Sequence, residues 1–189
     1  MMLGAFFTLQ FVNSAYWGMN FWVGVGLAVL VMAAVGYLME ALVIRRLFGQ
    51  PQFAVVILTI AIGFVLRFIA GFIWGYEPLA LETPFAGQNI QFAGLVIGVD
   101  EVFVIAATLV LTLVLYLFFA RTRLGMAMQA SSQNQLAAYY MGVPVKRVHG
   151  LVWALSGGIA TIAGVLFAAR GSIDPNLGLL GIKAFAAAV

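Results

Sequence analysis

Apolar side chains dominate this chain in blocks, and polar ones cluster in the short gaps between them. Four blocks are long enough to cross a hydrocarbon core that needs about 20 helical residues: Phe21 to Val43, Phe53 to Trp74, Val102 to Phe119 and Val148 to Ala169. Two shorter blocks lie at the ends. Met1 to Val12 reads as the tail of a helix, and Leu177 to Val189 as the start of one or as a re-entrant segment. The pattern therefore predicts an all-α polytopic membrane protein with about four complete and two truncated transmembrane segments. The same pattern predicts a single transmembrane domain over residues 1–189, with a cut-short segment expected at each end.

The gaps set the orientation, because short loops keep their Lys and Arg on the cytoplasmic side. Arg45-Arg46 and the stretch 121–147, which holds basic residues and no acid, read as cytoplasmic. The stretch from Gly75 to Glu101 carries Glu77, Glu82, Asp100 and Glu101 and no basic residue, so it reads as external. Trp17, Trp22 and Trp74 fall at the outer ends, where indoles favour the headgroup layer. Within the external stretch, Ile90-Gln91-Phe92 and Leu95-Val96-Ile97 flank Ala93-Gly94 and suggest a small hairpin. Small residues recur at spacings of four in the last full span. Gly150, Ala154 and Gly158 mark one face; Ser156, Ala160, Gly164 and Ala168 mark another, each suited to close helix packing in lipid.

Composition agrees with the bilayer reading. Of 189 residues, 65% are hydrophobic and 8% charged, against roughly 45–50% and 25% in a soluble domain. The net charge of +3 is dispersed in pairs and forms no basic stripe, which argues against a nucleic-acid partner. No cysteine exists for a disulfide or thiolate metal site. The single histidine, His149, lies beside Arg147 at an inner span end and reads as interfacial. No H-E-x-x-H, G-x-S-x-G or phosphate-cradling G-x-x-x-x-G-K-[ST] occurs, so catalysis, ATP hydrolysis, a metal and a cofactor have no residues to carry them.

Two intramembrane cations need an account, because charge at the bilayer centre is costly. Arg67 lies seven residues before Trp74, about 10 Å of helix; it either snorkels to the outer interface or faces a polar path. Lys183 follows the Asp174-Pro175-Asn176 turn in a Gly-rich segment, and either faces a water-filled cavity or stays near the surface. Thr59 offers a further polar group in the same span as Arg67. The carboxylates Glu40, Glu77, Glu82, Asp100, Glu101 and Asp174 are placed at or beyond span ends, which argues against proton coupling.

The stretch 121–147 is the most informative. Ser132-Gln133-Asn134-Gln135 fits a capping box, and Gly142 with Pro144 fits a helix stop, predicting a short helix from about Gln133 to Met141. It would present Leu136, Ala137, Tyr139 and Tyr140, either to the lipid interface or, the preferred reading, to a partner protein.

Leu136-Ala137-Ala138-Tyr139-Tyr140-Met141-Gly142 stands where ABC importer permeases write E-A-A-x-x-x-G. More of the chain resembles one branch, the branched-chain amino acid permeases of the LivH type: Met2-Leu3-Gly4-Ala5, Glu40 with Val43-Ile44-Arg45, Ile57-Leu58-Thr59-Ile60, Thr122-Arg123-Leu124-Gly125, Gln133-Asn134 and Lys183-Ala184-Phe185. The resemblance implies a transmembrane subunit of an ATP-driven importer in the bacterial inner membrane. Its partners would be a second permease, two cytoplasmic ATPase subunits and an external solute-binding protein, and its cargo a branched-chain amino acid. ATPase coupling would fall to Ser132, Gln133, Asn134, Leu136, Ala137, Ala138, Tyr139 and Gly142, with Thr59, Arg67 and Lys183 on the substrate path. Leu136 replaces the family's acidic residue, so docking should rest on packing of Ala137, Ala138 and Tyr139. The rival readings are a secondary transporter or channel, which works without an ATPase, and a membrane-embedded enzyme or scaffold.

Overall fold

The computed structural model describes residues 1–13, 16–47, 51–81, 83–84, 89–92 and 95–178. Its helices are α1 (Met2–Val12), α2 (Phe21–Leu42), α3 (Gln52–Trp74), α4 (Val99–Arg121), α5 (Arg123–Gln133), α6 (Gln135–Tyr140) and α7 (Val145–Arg170); a 3-10 turn, Ile44–Leu47, follows α2. The strands are β1 (Leu79–Ala80), β2 (Asn89–Phe92), β3 (Leu95–Gly98) and β4 (Ser172–Ile173). Four helical stretches are long and apolar enough to span a membrane: Phe21–Leu47, Phe53–Trp74, Val99–Arg121 and Val145–Arg170. This matches the four blocks read from the sequence. The last block lies almost wholly outside the described residues, so Lys183 is not placed.

Two spans run longer than their apolar blocks, because helices extend into polar residues that suit their ends. α4 begins at Val99 and takes Asp100 and Glu101 into its first turn, where carboxylates meet the positive end of the helix dipole. α7 begins at Val145 after Pro144, whose ring cannot continue a preceding helix but accepts this position at the start of a new one.

The core is a packed trio of α1, α2 and α7. It is built by close backbone approach rather than by bulk. A Cβ on Gly36 of α2 would lie 2.4 Å from the carbonyl oxygen of Trp153, and one on Gly157 of α7 2.4 Å from that of Met32. The small-residue face in use thus mixes the two stripes expected. Gly150, Gly158, Thr161, Gly164 and Ala168 are buried, whereas Ser156 is exposed. A stripe at strict spacings of four drifts around the helix, and the partners' crossing angle selects which of its residues meet a neighbour.

α1 sits inside this trio: Ala5 and Phe6 are fully buried, and Met2 and Leu9 nearly so, against Val165, Ala168 and Ile173. α3 joins through its last turns. Trp74 stacks on Phe6 at 5.1 Å and donates through Nε1 to Gln10 at 2.9 Å. β1 pairs antiparallel with β4, Leu79 opposite Ile173, tying the exit of α3 to the exit of α7. β2 and β3 form the expected hairpin, Ile90 opposite Ile97. Most of α3 before its last turn and much of α4 turn large apolar side chains outward, Phe68 at 66% exposure and Tyr116 at 68%, although Phe103 of α4 packs edge-on against Trp22 at 5.9 Å.

The stretch between α4 and α7 holds two helices where one was predicted. Thr122 is the hinge between α4 and α5. Its hydroxyl donates to the Phe118 carbonyl at 2.7 Å and accepts from the Gly125 amide at 3.0 Å, capping one helix while closing the other. Gly125 is required there, since a Cβ would lie 2.5 Å from the Phe118 oxygen.

Candidate functional site

The expected capping box does not form. Ser132 lies inside α5 and donates back to the Gln129 carbonyl at 2.8 Å. Asn134 is the true cap of α6: it leaves the helix at φ −154, and its Oδ1 accepts from the amides of Leu136 and Ala137, both at 3.0 Å. Asn and Ser cap about equally well. Asn134 wins because α5 is already using Ser132, and Gln135 points away to His149, with Nε2 atoms 3.0 Å apart. The short helix therefore runs Gln135–Tyr140 instead of Gln133–Met141. Asn134→Ala should cost about 1 kcal/mol of cap energy. In a helix of six residues that loss should appear as faster amide exchange at Leu136 and Ala137, measured by hydrogen–deuterium exchange.

The far end of α6 behaves as the glycine and proline suggest. Gly142 adopts φ +84, and the amides of Gly142 and Val143 return to the carbonyls of Tyr139 and Ala138, both at 3.0 Å. These two bonds satisfy carbonyls that a helix end leaves open. A side chain at Gly142 meets open space, but its left-handed backbone resists any L residue.

Capped at both ends, α6 presents Leu136, Tyr139, Tyr140 and Met141 at 65–85% exposure. Ala137 is exposed too. Ala138, expected to help dock a partner, is only 5% exposed and packs inward, because one face of so short a helix must bury against its neighbours to hold it. Gln133, the last residue of α5, is exposed.

Beside α6 lies a concavity of about 730 Å³, bounded by Gln135, Leu136 and Tyr139 of α6, by Pro144 and the first turn of α7, and by Arg45 of the 3-10 turn. Arg45 is fixed by Glu40, whose carboxylate accepts from Nη2 at 2.7 Å and from Nε at 3.3 Å. Glu40 stands in the last turn of α2, near the span end as its sequence position suggested, but it does not face water. It is fully buried inside the Phe21–Leu47 span, next to Gly150, whose missing side chain leaves it room. The i, i+5 spacing of Glu40 and Arg45 across a helix end was the sequence signal for this pair.

On α3, Thr59 and Arg67 share one face with Gly63 at intervals of four residues. The Thr59 hydroxyl bonds back to the Val56 carbonyl at 2.8 Å, and a Cβ on Gly63 would meet nothing within 4 Å. Arg67 donates to Asn176 Oδ1, linking α3 to the segment after β4. The Asp174 carboxylate orders that segment by accepting from the amides of Asn176 and Leu177. At the same end, Arg170 pairs with Glu101 at 2.9 Å, both half exposed. Thr59 and Arg67 thus form one ladder, far along the chain from the α6 cluster. Among the described residues no group of three His, Asp or Glu gathers as a metal site.

Four helices long and apolar enough to cross a membrane, two of them crossing closely through glycines, define a multi-pass membrane protein. The chain belongs to the family described as branched-chain amino acid transport system permease component, whose model matches residues 1–189. It is 27% identical over 168 residues to the high-affinity branched-chain amino acid transport system permease protein BraD of Pseudomonas aeruginosa, covering 86% of this chain and 55% of that protein. It is likewise 27% identical over 169 residues to LivH of Escherichia coli, a permease protein of the same description, covering 86% of this chain and 54% of that one. The fructose import permease protein FruF of Bifidobacterium longum is 31% identical over 150 residues, 78% of this chain and 40% of that protein. The chain spans about half the length of the branched-chain relatives. No solved structure is a significant match.

Proposed function

We propose that this chain is part of the membrane subunit of an ATP-driven importer, pairing with a second permease, two ATPase subunits and an external solute-binding protein. The observation that carries the reading is α6. A helix of six residues, capped at both ends, holds Leu136, Ala137, Tyr139 and Tyr140 outward at the basic end of the spans. Short loops rich in Lys and Arg belong on the cytoplasmic face, where a soluble ATPase would meet it. Family membership supports the rest.

ATP acts on such a subunit only through a different affinity for its inward and outward states. Movement of α6 with the ATPase would be passed to α7 through the Gly142–Pro144 turn and to α5 through Asn134. The substrate would cross at the interface with the second permease, along the Thr59, Gly63 and Arg67 face of α3, with Lys183 contributing from the last segment. Among the described residues Gly63 on that face is exposed and Thr59 and Arg67 are half-buried, a spacing of polar groups that suits the passage of a small polar solute. A branched-chain amino acid is the proposed cargo; FruF, among the relatives, shows by its name that this kinship extends to a sugar permease.

The test is co-purification of the full-length protein with the candidate ATPase subunits from its own membrane. Ala137→Glu puts a charge on the exposed face of α6 without touching its buried side, and Gly142→Trp strains the left-handed turn. Both variants should lose the ATPase by tenfold or more while remaining folded. ATPase retained by both, or absent from wild type, would favour a secondary transporter or channel.

A further inference from the structure

We propose that the concavity between the 3-10 turn, α6 and the start of α7 is a binding site for the phosphate headgroup of an anionic phospholipid. Arg45, Lys146 and Arg147 all border it. Arg45 is held rigidly, because two of its donors are spent on the fully buried Glu40 and Tyr37 also engages it; among the described residues it pairs with no second carboxylate. Among the described residues neither Lys146 nor Arg147 has an acidic partner within ion-pair distance. Both cations stand in the first turn of α7, where the helix dipole is positive and disfavours them. Six cations, from Arg45, Arg46, Arg121, Arg123, Lys146 and Arg147, share this end with one carboxylate, Glu40. An anion seated between them would relieve that repulsion.

The depth of the site selects a lipid over a soluble anion. Arg45 lies at the end of the Phe21–Leu47 span and Val145 at the start of the Val145–Arg170 span, so the opening sits at headgroup level. Leu136, Tyr139 and Val145 add apolar wall suited to a glycerol backbone and upper acyl carbons. A nucleotide would need base-reading groups, and the one side-chain amide present, on Gln135, is already engaged by His149. The volume of about 730 Å³ falls within the roughly 300–1,000 Å³ of small-molecule sites, and basic pockets between spanning helices suit anionic headgroups. Because Leu136 and Tyr139 form the opposite wall, an occupying lipid would also set the position of α6.

The experiment uses the full-length protein in nanodiscs of phosphatidylcholine, titrated with phosphatidylglycerol and read by native mass spectrometry. Wild type should retain phosphatidylglycerol in preference to phosphatidylcholine. The double variant Lys146→Gln/Arg147→Gln should lose that preference by about tenfold or more, while Arg121→Gln/Arg123→Gln, which removes equal charge outside the concavity, should keep it. Both Lys146 and Arg147 are exposed, so the variant should fold. Equal retention by both double variants, or no preference in wild type, overturns the proposal. Displacement of the lipid by millimolar inorganic phosphate would assign the site to a soluble anion instead. Loss of the ATPase with lipid retention unchanged would make it a protein contact. Because the lipid measurement needs no ATPase, failure of the importer reading leaves it standing.

Discussion

Gly157→Val should prise α7 from α2 and destabilise the detergent-solubilised protein by about 3 kcal/mol, at the upper end of overpacking costs. The Cβ alone would fall 2.4 Å from the Met32 carbonyl oxygen, and backbone cannot step aside as a flexible side chain can. Gly36→Val should do the same from the other side, against the Trp153 carbonyl. Since both contacts lie in one helix crossing, the double variant should cost less than the two singles added together. The control is Gly26→Ala: its Cβ meets nothing within 4 Å, and the gain in helix propensity, up to about 1 kcal/mol, should leave it neutral or slightly stabilised. Thermal unfolding in one detergent ranks all four. A Gly157→Val protein as stable as Gly26→Ala would refute the close crossing.

The second large effect concerns Glu40. Arg45→Met removes the one cation among the described residues that pairs with the buried carboxylate, and an unpaired buried charge is far more costly than the pair was stabilising. The loss should be at least about threefold that of Arg170→Met, whose partner Glu101 is half exposed and can turn to water. Glu40→Gln in the Arg45→Met background should recover much of the stability, because it removes the stranded charge and leaves an amide of the same shape. A single variant Arg45→Met with an unfolding midpoint equal to wild type would refute the dependence of the buried carboxylate on Arg45.

These two predictions separate what was legible in the residues from what was not. The spans were legible because a bilayer imposes one length and one polarity on every crossing segment, so Phe53–Trp74 could be read to the residue. The turn after α6 was legible for a similar local reason: only glycine takes φ +84 at low cost, and Gly142 stands two residues past Tyr140, the last residue of the helix. The cap at the start of α6 was not. Ser132 and Asn134 are comparable caps, and the choice between them depends on where α5 ends, which its packing against α4 and α7 settles.

The sequence by itself determined the number and type of complete spans, the basic and acidic ends, the short helix at the basic end and the family. Each follows from chemistry that acts within a segment or from strings that survive unaligned. Only the tertiary structure decided that Gly36 and Gly157 form the crossing, that Ala138 packs inward while Ala137 faces out, and that Glu40 is buried against Arg45 beside a cation-lined concavity. Helix crossing angle, burial and ion-pair reach are relations between segments, and no spacing within one segment encodes which neighbour it will meet.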